Sequence, residues 1–356
     1  MIMFQALKSF GLLDTVDTVD KRGKGTVNRT YIVNEGSNRY ALQLIDFNVF
    51  KKVHWVIDNV ERVSKYLRRV KRQYDVYTLY SEDDSQHVLV RDSYWRCYKL
   101  RDNEIIFQSF ENDKMYYEIG RILGNFHRLT ADFPVDKLHI TIPNYQNPLN
   151  YYKEYLKAVD ECKTDKTLYT YNEYKFVTER EHSFSLINNL LEEGKVPRRV
   201  VHNNVRKANI IFDKDEYKAL YLIGMDAVMP GSLLRDFGEM ARYAFNSTKE
   251  YEQDIDIVFF KSDKFKNGLR GYLSEVKDAI TKVELSYLVD SIKVMALEYG
   301  IRHLTEYLKD GKSYNHLFNT ENLDVCKNQF KLVQEIETSY DELKQIVEDV
   351  TKEIIK

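Results

Sequence analysis

Residues 201–212 read Val201-His202-Asn203-Asn204-Val205-Arg206-Lys207-Ala208-Asn209-Ile210-Ile211-Phe212. An amide-rich polar loop sits between Val200-Val201 and the run Asn209-Ile210-Ile211-Phe212, and a further apolar run, Ala219-Leu220-Tyr221-Leu222-Ile223, follows. Short apolar runs bounded by polar turns predict strands, so this stretch is expected to be a small hairpin. The sequence around it is helical. Ile119, Ile122, Leu123, Phe126 and Leu129 recur at helical spacing, and a long C-terminal pair is expected over roughly 285–309 and 322–354.

Further towards the N-terminus the pattern changes. Thr30-Tyr31-Ile32-Val33 and Tyr40-Ala41-Leu42-Gln43-Leu44-Ile45 flank the polar turn Asn34-Glu35-Gly36-Ser37-Asn38, a hairpin signal. Val53, Val56, Ile57, Val60, Val63, Leu67 and Val70 then mark an amphipathic helix. Arg68, Arg69, Lys71 and Arg72 form its wet end rather than a nucleic-acid patch. Strand character returns at His87-Val88-Leu89-Val90 and Tyr94-Trp95-Arg96-Cys97-Tyr98. The expected architecture is α+β, with an antiparallel-sheet N-lobe over 1–102 and a mainly helical C-lobe over 103–356. No regular repeat or low-complexity linker interrupts it.

Bulk properties narrow the classes. Lys and Arg number 53 against 55 Asp and Glu. The near-cancelling charge gives no field that would gather nucleic acid or an anionic membrane. Cys97, Cys162 and Cys326 are scattered and form no CxxC pair, which disfavours a disulfide framework or thiolate metal site. With no signal-peptide pattern and no apolar run long enough for a bilayer, a soluble protein of the reducing cytoplasm is expected.

The 201–212 loop resembles the catalytic loop of the aminoglycoside-phosphotransferase superfamily, His-x-Asp-x-x-x-x-Asn followed by apolar residues, with Asn204 in the place of Asp. The closer resemblance is to the N-acetylhexosamine 1-kinases. Their Ile-Asp-Leu-Asp-Thr-Val-Met-Pro-Gly segment is similar to Ile223-Gly224-Met225-Asp226-Ala227-Val228-Met229-Pro230-Gly231. Other matches are Asn28, Thr30-Tyr31, Leu42-Gln43, Asn48-Val49-Phe50, Ala131-Asp132-Phe133-Pro134, Thr141-Ile142-Pro143, Asp236-Phe237-Gly238, Arg302-His303-Leu304-Thr305 and Asn328-Gln329-Phe330. The resemblance spans nearly the whole chain and implies a protein-kinase-like two-lobed fold.

It also implies ATP and Mg²⁺ as cofactors and a sugar hydroxyl as acceptor. The loop Asp would orient or deprotonate that hydroxyl and the later Asn, Asn209, would help bind the metal. Gly224 stands at the main magnesium Asp and Asp226 at the second. Asparagine accepts a hydrogen bond but takes no proton, and Mg²⁺ usually draws on one or two carboxylates. Two readings follow: a catalytically impaired pseudokinase that binds sugar, nucleotide or a protein partner, or an active sugar kinase with Asp226 and Asn209 holding magnesium.

The resemblance assigns the remaining candidates. Gly23, Gly25, Asn28 and Gln43 fall on the nucleotide side, although Gly-Lys-Gly would equally suit an ordinary turn. Leu44 stands where relatives carry an Arg. Asn144 and Arg302 fall on the sugar side, while His202 and Asp236 shape the loop. Arg206 faces either phosphate or solvent.

Overall fold

The structure is a computed structural model that describes residues 2–12, 15–22, 28–45, 52–70, 78–79, 87–110, 112–145, 147–310 and 319–355. Gly23, Gly25, Asn48-Val49-Phe50, Lys71 and Arg72 lie outside these residues.

Helix α1 (Ile2–Ser9) precedes strands β1 (Thr18–Arg22), β2 (Asn28–Glu35) and β3 (Asn38–Ile45). Helix α2 (Val53–Val70) then leads to β4 (Thr78–Leu79), β5 (Val88–Val90) and β6 (Ser93–Leu100). All pair antiparallel in the order β1-β2-β3-β6-β4, with β5 also on β6. The β2–β3 hairpin turns at Gly36-Ser37, where Gly36 adopts φ +54°, a conformation that glycine reaches without Cβ strain.

Strand alternation gives this sheet two buried faces. Val33, Leu42, Trp95 and Cys97 pack beneath Ala6 and Leu7 of α1. Ile32, Ala41, Ile45, Tyr98 and Leu100 face the other way and join Val56, Val60, Val63 and Leu67 of α2 in the main core. Gln43 and Arg96, cross-strand partners, share the second face. That face meets the C-lobe.

The C-lobe starts at β7 (Glu104–Ile105) and α3 (Asp113–Leu129), followed by α4 (Pro148–Glu161), α5 (Lys166–Tyr169), α6 (Tyr171–Thr178) and α7 (Leu186–Glu192). Strands β8 (Arg199–Val201), β9 (Ile210–Asp213), β10 (Ala219–Leu222) and β11 (Met229–Gly231) come next. Helices α8 (Leu233–Ala244), α9 (Ser262–Val276), α10 (Lys282–Ser286), α11 (Leu288–Leu308), α12 (Asn319–Thr338) and α13 (Tyr340–Ile354) complete it. The expected hairpin is β9–β10, extended by β7, while β8 pairs with β11.

One expectation needs correction. The single helix over 322–354 is two helices that separate at Ser339. The first lies along α11 and the second turns onto α9, so two packing partners impose the break. No helix among the described residues is long and apolar enough to cross a membrane.

Glycine sets the closest helix crossing. A Cβ on Gly120 of α3 would stand 1.8 Å from the Gly268 carbonyl oxygen of α9, an impossible contact with rigid backbone. Gly120→Ala is therefore expected to cost up to about 3 kcal/mol, the upper end of ordinary overpacking. Urea unfolding checks this: a loss below about 0.5 kcal/mol, the scatter of a neutral surface change, would mean that the crossing is not this tight.

Candidate functional site

The loop after β8 is shaped by a buried carboxylate. Asp236, in the first turn of α8, accepts hydrogen bonds from the backbone N–H groups of His202 (2.6 Å) and Asn203 (2.7 Å). Its Oδ2 also lies 3.0 Å from His127 Nε2. Asn203 takes φ +61°, a left-handed conformation that Asn tolerates better than most residues. Its Nδ2 donates to the Ala227 carbonyl at 2.8 Å, which ties the loop to the segment after β10. Asn209 Nδ2 closes the loop internally by donating to the Asn204 carbonyl at 3.0 Å.

These bonds bring Asn204, Asn209 and the 224–227 turn together beneath the N-lobe sheet. Gly224 is left-handed at φ +80°, and a Cβ there would stand 2.6 Å from Asn209 Oδ1. The side chain of Asn209 thus fills the space next to the glycine. Above it, Gln43 Nε2 donates to Thr30 Oγ1 at 2.9 Å and lies 3.5 Å from Asn209 Oδ1.

Arg96 decides the electrostatics. Its Nε and Nη2 donate to Gln43 Oε1 at 3.1 and 3.0 Å, and Nη2 donates to Asp226 Oδ2 at 2.6 Å. Arg96 is 1% exposed and Asp226 fully buried, so this ion pair spans the lobes away from water. Helix α2 docks nearby through Asn59, whose Nδ2 donates to the carbonyls of His139 (2.8 Å) and Val228 (2.9 Å).

The remaining candidates are dispersed. His202 is buried edge-on to Phe126, and burial pushes its pKa down to about 4, so the ring is neutral at physiological pH. Asn28 opens β2, and its side chain lies outside the described residues. Arg302, on α11, lies 3.6 Å from Glu298 and over the Tyr151 ring. Asn144 adopts φ +58° and lines a cavity with Asn203 and Arg235. Arg206 faces neither phosphate nor open solvent: its fork donates to Glu250 (2.9 Å) and Glu239 (3.0 Å) inside the helical lobe.

Sequence reasoning missed Arg96, Asn203 and Arg235. Arg96 did carry one signal, an arginine inside an apolar and aromatic strand directly across from Gln43.

The model of the APH phosphotransferase enzyme family matches residues 18–260, more than half of the chain. The chain belongs to this family. Solved structures agree on the fold. A microcompartment-associated aminopropanol kinase aligns with TM-score 0.59 at 14% identity, covering 96% of this chain and 98% of that one. An aminoglycoside phosphotransferase from Alicyclobacillus acidocaldarius gives 0.58 at 12% identity over 98% and 95%. A spectinomycin phosphotransferase in complex with ADP and spectinomycin gives 0.56 at 14% over 92% and 94%.

Phosphoryl transfer in such a fold implies a divalent cation, and this chain has a donor set that can be tested against one. Magnesium takes hard oxygens in near-octahedral array with at least one or two carboxylates. Among the described residues no three His, Cys, Asp or Glu side chains converge into a metal-holding group. Asp226 is the carboxylate at the cleft, and the Arg96 guanidinium already neutralises it at 2.6 Å. Among the described residues, the other side-chain oxygens beside it belong to amides such as Asn209 and Gln43. As arranged, they do not fit Mg²⁺.

Proposed function

We propose that this phosphotransferase is a catalytically impaired relative of the N-acetylhexosamine kinases, whose cleft binds a sugar or nucleotide for a regulatory or scaffolding role. One observation carries this reading: Arg96 lies against Asp226 in the buried cleft, so a side chain supplies the positive charge that a metal would bring. Gly224 and Asn204 point the same way, because one provides no carboxylate and the other no base. The protein's own residues still order the loop through Asp236 and close it onto the 224–227 turn through Asn203. A shaped recess therefore persists where acceptor chemistry is weak. Asp226 and Asn209 would serve as metal ligands only if Arg96 moved off the carboxylate.

Calorimetric titration with ATP, with and without Mg²⁺, and with N-acetylhexosamines tests the proposal beside a turnover assay on the same preparation. Binding of a sugar or nucleotide without phosphorylated product is the expected result. Robust, Mg²⁺-dependent phosphorylation of an N-acetylhexosamine by the unmodified protein would overturn it.

A further inference from the structure

A cavity of about 150 Å³ opens beside the loop, lined by Asn144, Tyr145, Asn147, Asn203, Met229 and Arg235 among others. Its size suits one small ring or a charged group on such a ring. Tyr145 reaches across its wall to donate to the Asn203 carbonyl at 3.4 Å, which joins this cavity to the loop that carries Asn204. Among the described lining residues Arg235 carries the one charge, and no carboxylate faces it.

Arg235 is held in place by neutral groups. Its Nη2 donates to Asn188 Oδ1 at 2.5 Å, Asn188 Nδ2 donates to Asn147 Oδ1 at 2.7 Å, and Asn147 caps α4. This amide chain fixes the guanidinium without neutralising it. The Nε is buried and has no hydrogen-bond partner among the described residues. Burial lowers the pKa of Arg235, and the Glu298 carboxylate offsets this only in part. Glu298 meets Arg302 through Oε1 at 3.6 Å, and burial pushes its pKa up to about 7, so it is only a partial counter-charge for Arg235. Arginine nevertheless keeps its charge in proteins. Arg235 is half-buried, and among the described residues no carboxylate lines the cavity beside its guanidinium. From the cavity an anion would meet the guanidinium of Arg235, whose planar fork favours carboxylate or phosphate oxygens.

We propose that the cavity is an anion-reading subsite: it seats a carboxylate or phosphate ester carried by a small hydroxylated ligand, and Arg235 selects that group. The inference rests on the reading that this side of the cleft still takes a small sugar-like molecule. It replaces a neutral hexosamine with an acidic sugar.

Titration calorimetry at low ionic strength with glucuronate, glucose 6-phosphate, glucose and N-acetylglucosamine tests it, the first two ligands separating carboxylate from phosphate as the anion. One charged sugar is expected to bind at least about tenfold tighter than either neutral sugar, as a charge-assisted hydrogen bond would give. Arg235→Gln should erase that preference while leaving the melting temperature nearly unchanged, because it removes a half-buried charge that forms no ion pair. Arg235→Lys should retain part of the preference, since it keeps charge but loses the fork. Binding of N-acetylglucosamine with no preference for either acidic sugar would overturn the role of Arg235 and leave the sugar-binding reading intact. Failure of all four sugars would overturn both. Survival of the anion preference in Arg235→Gln would overturn the assignment to this residue, and the thermal-shift measurement guards against a misfolded variant.

Discussion

Arg96→Met is expected to destabilise the fold by about 3–5 kcal/mol, the usual consequence of removing one member of a buried ion pair. Asp226 is fully buried, so its carboxylate would lose a counter-charge 2.6 Å away and find no water to replace it. Gln43 Oε1 would lose both its guanidinium donors at the same time. The paired variant Arg96→Met, Asp226→Asn should recover much of the loss, because it removes both charges together. Denaturant unfolding of the four proteins in this cycle gives the coupling between the two residues. A single-variant cost below about 1 kcal/mol, the level of an exposed pair, would show that the pair is hydrated and does not lock the lobes.

The fold was largely legible because its strongest signals are local. Helix α2 shows in the spacing of Val53, Val56, Val60, Val63 and Leu67, all of which are buried. The β2–β3 hairpin shows in two apolar runs around Gly36-Ser37. The break at Ser339 was hidden for a physical reason. Ile336, Leu343, Val347 and Val350 keep helical spacing through it, so the change of packing partner leaves no mark on periodicity.

The site was legible only in part. The resemblance singled out Asn204, Asn209, Asp226 and Asp236; Asp236 and Asn209 hydrogen-bond within the 202–209 loop, and Asn203 ties that loop to the turn that carries Asp226. Arg96 escaped because its partner lies 130 residues away. The strand around it also gave little warning, since β6 is buried on both faces and loses the period-two alternation that separates inward from outward residues. Leu44 packs on the α1 side of the sheet, so the guanidinium beside Gln43 comes from the adjacent strand, where Arg96 also balances the charge of Asp226. The same logic separates Arg206 from Arg96. Both are cations near the loop, but Glu239 and Glu250 hold the first inside the helical lobe, and the second crosses between lobes.

If Arg96 stands in for a cation, restoring acids alone should not restore chemistry. The variant Asn204→Asp, Gly224→Asp is expected to remain weak as a sugar kinase while Arg96 holds Asp226, and with Arg96→Met added the three changes together should raise turnover over the unmodified protein by about 10²–10⁴, the scale of general-base assistance. Aspartate tolerates the left-handed backbone at 224 better than most residues. Its Cβ would still meet Asn209 Oδ1 at 2.6 Å, so the amide must rotate and could then turn towards a metal. The triple variant would also place carboxylates at 224 and 226 without a protein counter-charge. Its folded state should therefore depend on magnesium, with stabilisation of about 2.7 kcal/mol when the ion is present at a hundredfold above its dissociation constant. Initial rates with ATP and N-acetylhexosamines report the first effect, and melting temperature against Mg²⁺ concentration reports the second without requiring turnover. A triple variant whose melting temperature ignores Mg²⁺ would show that Arg96 does not occupy the position of a cation, whatever the rates. A double variant already as active as the triple would show that Asp226 was never withheld from the metal by the guanidinium beside it.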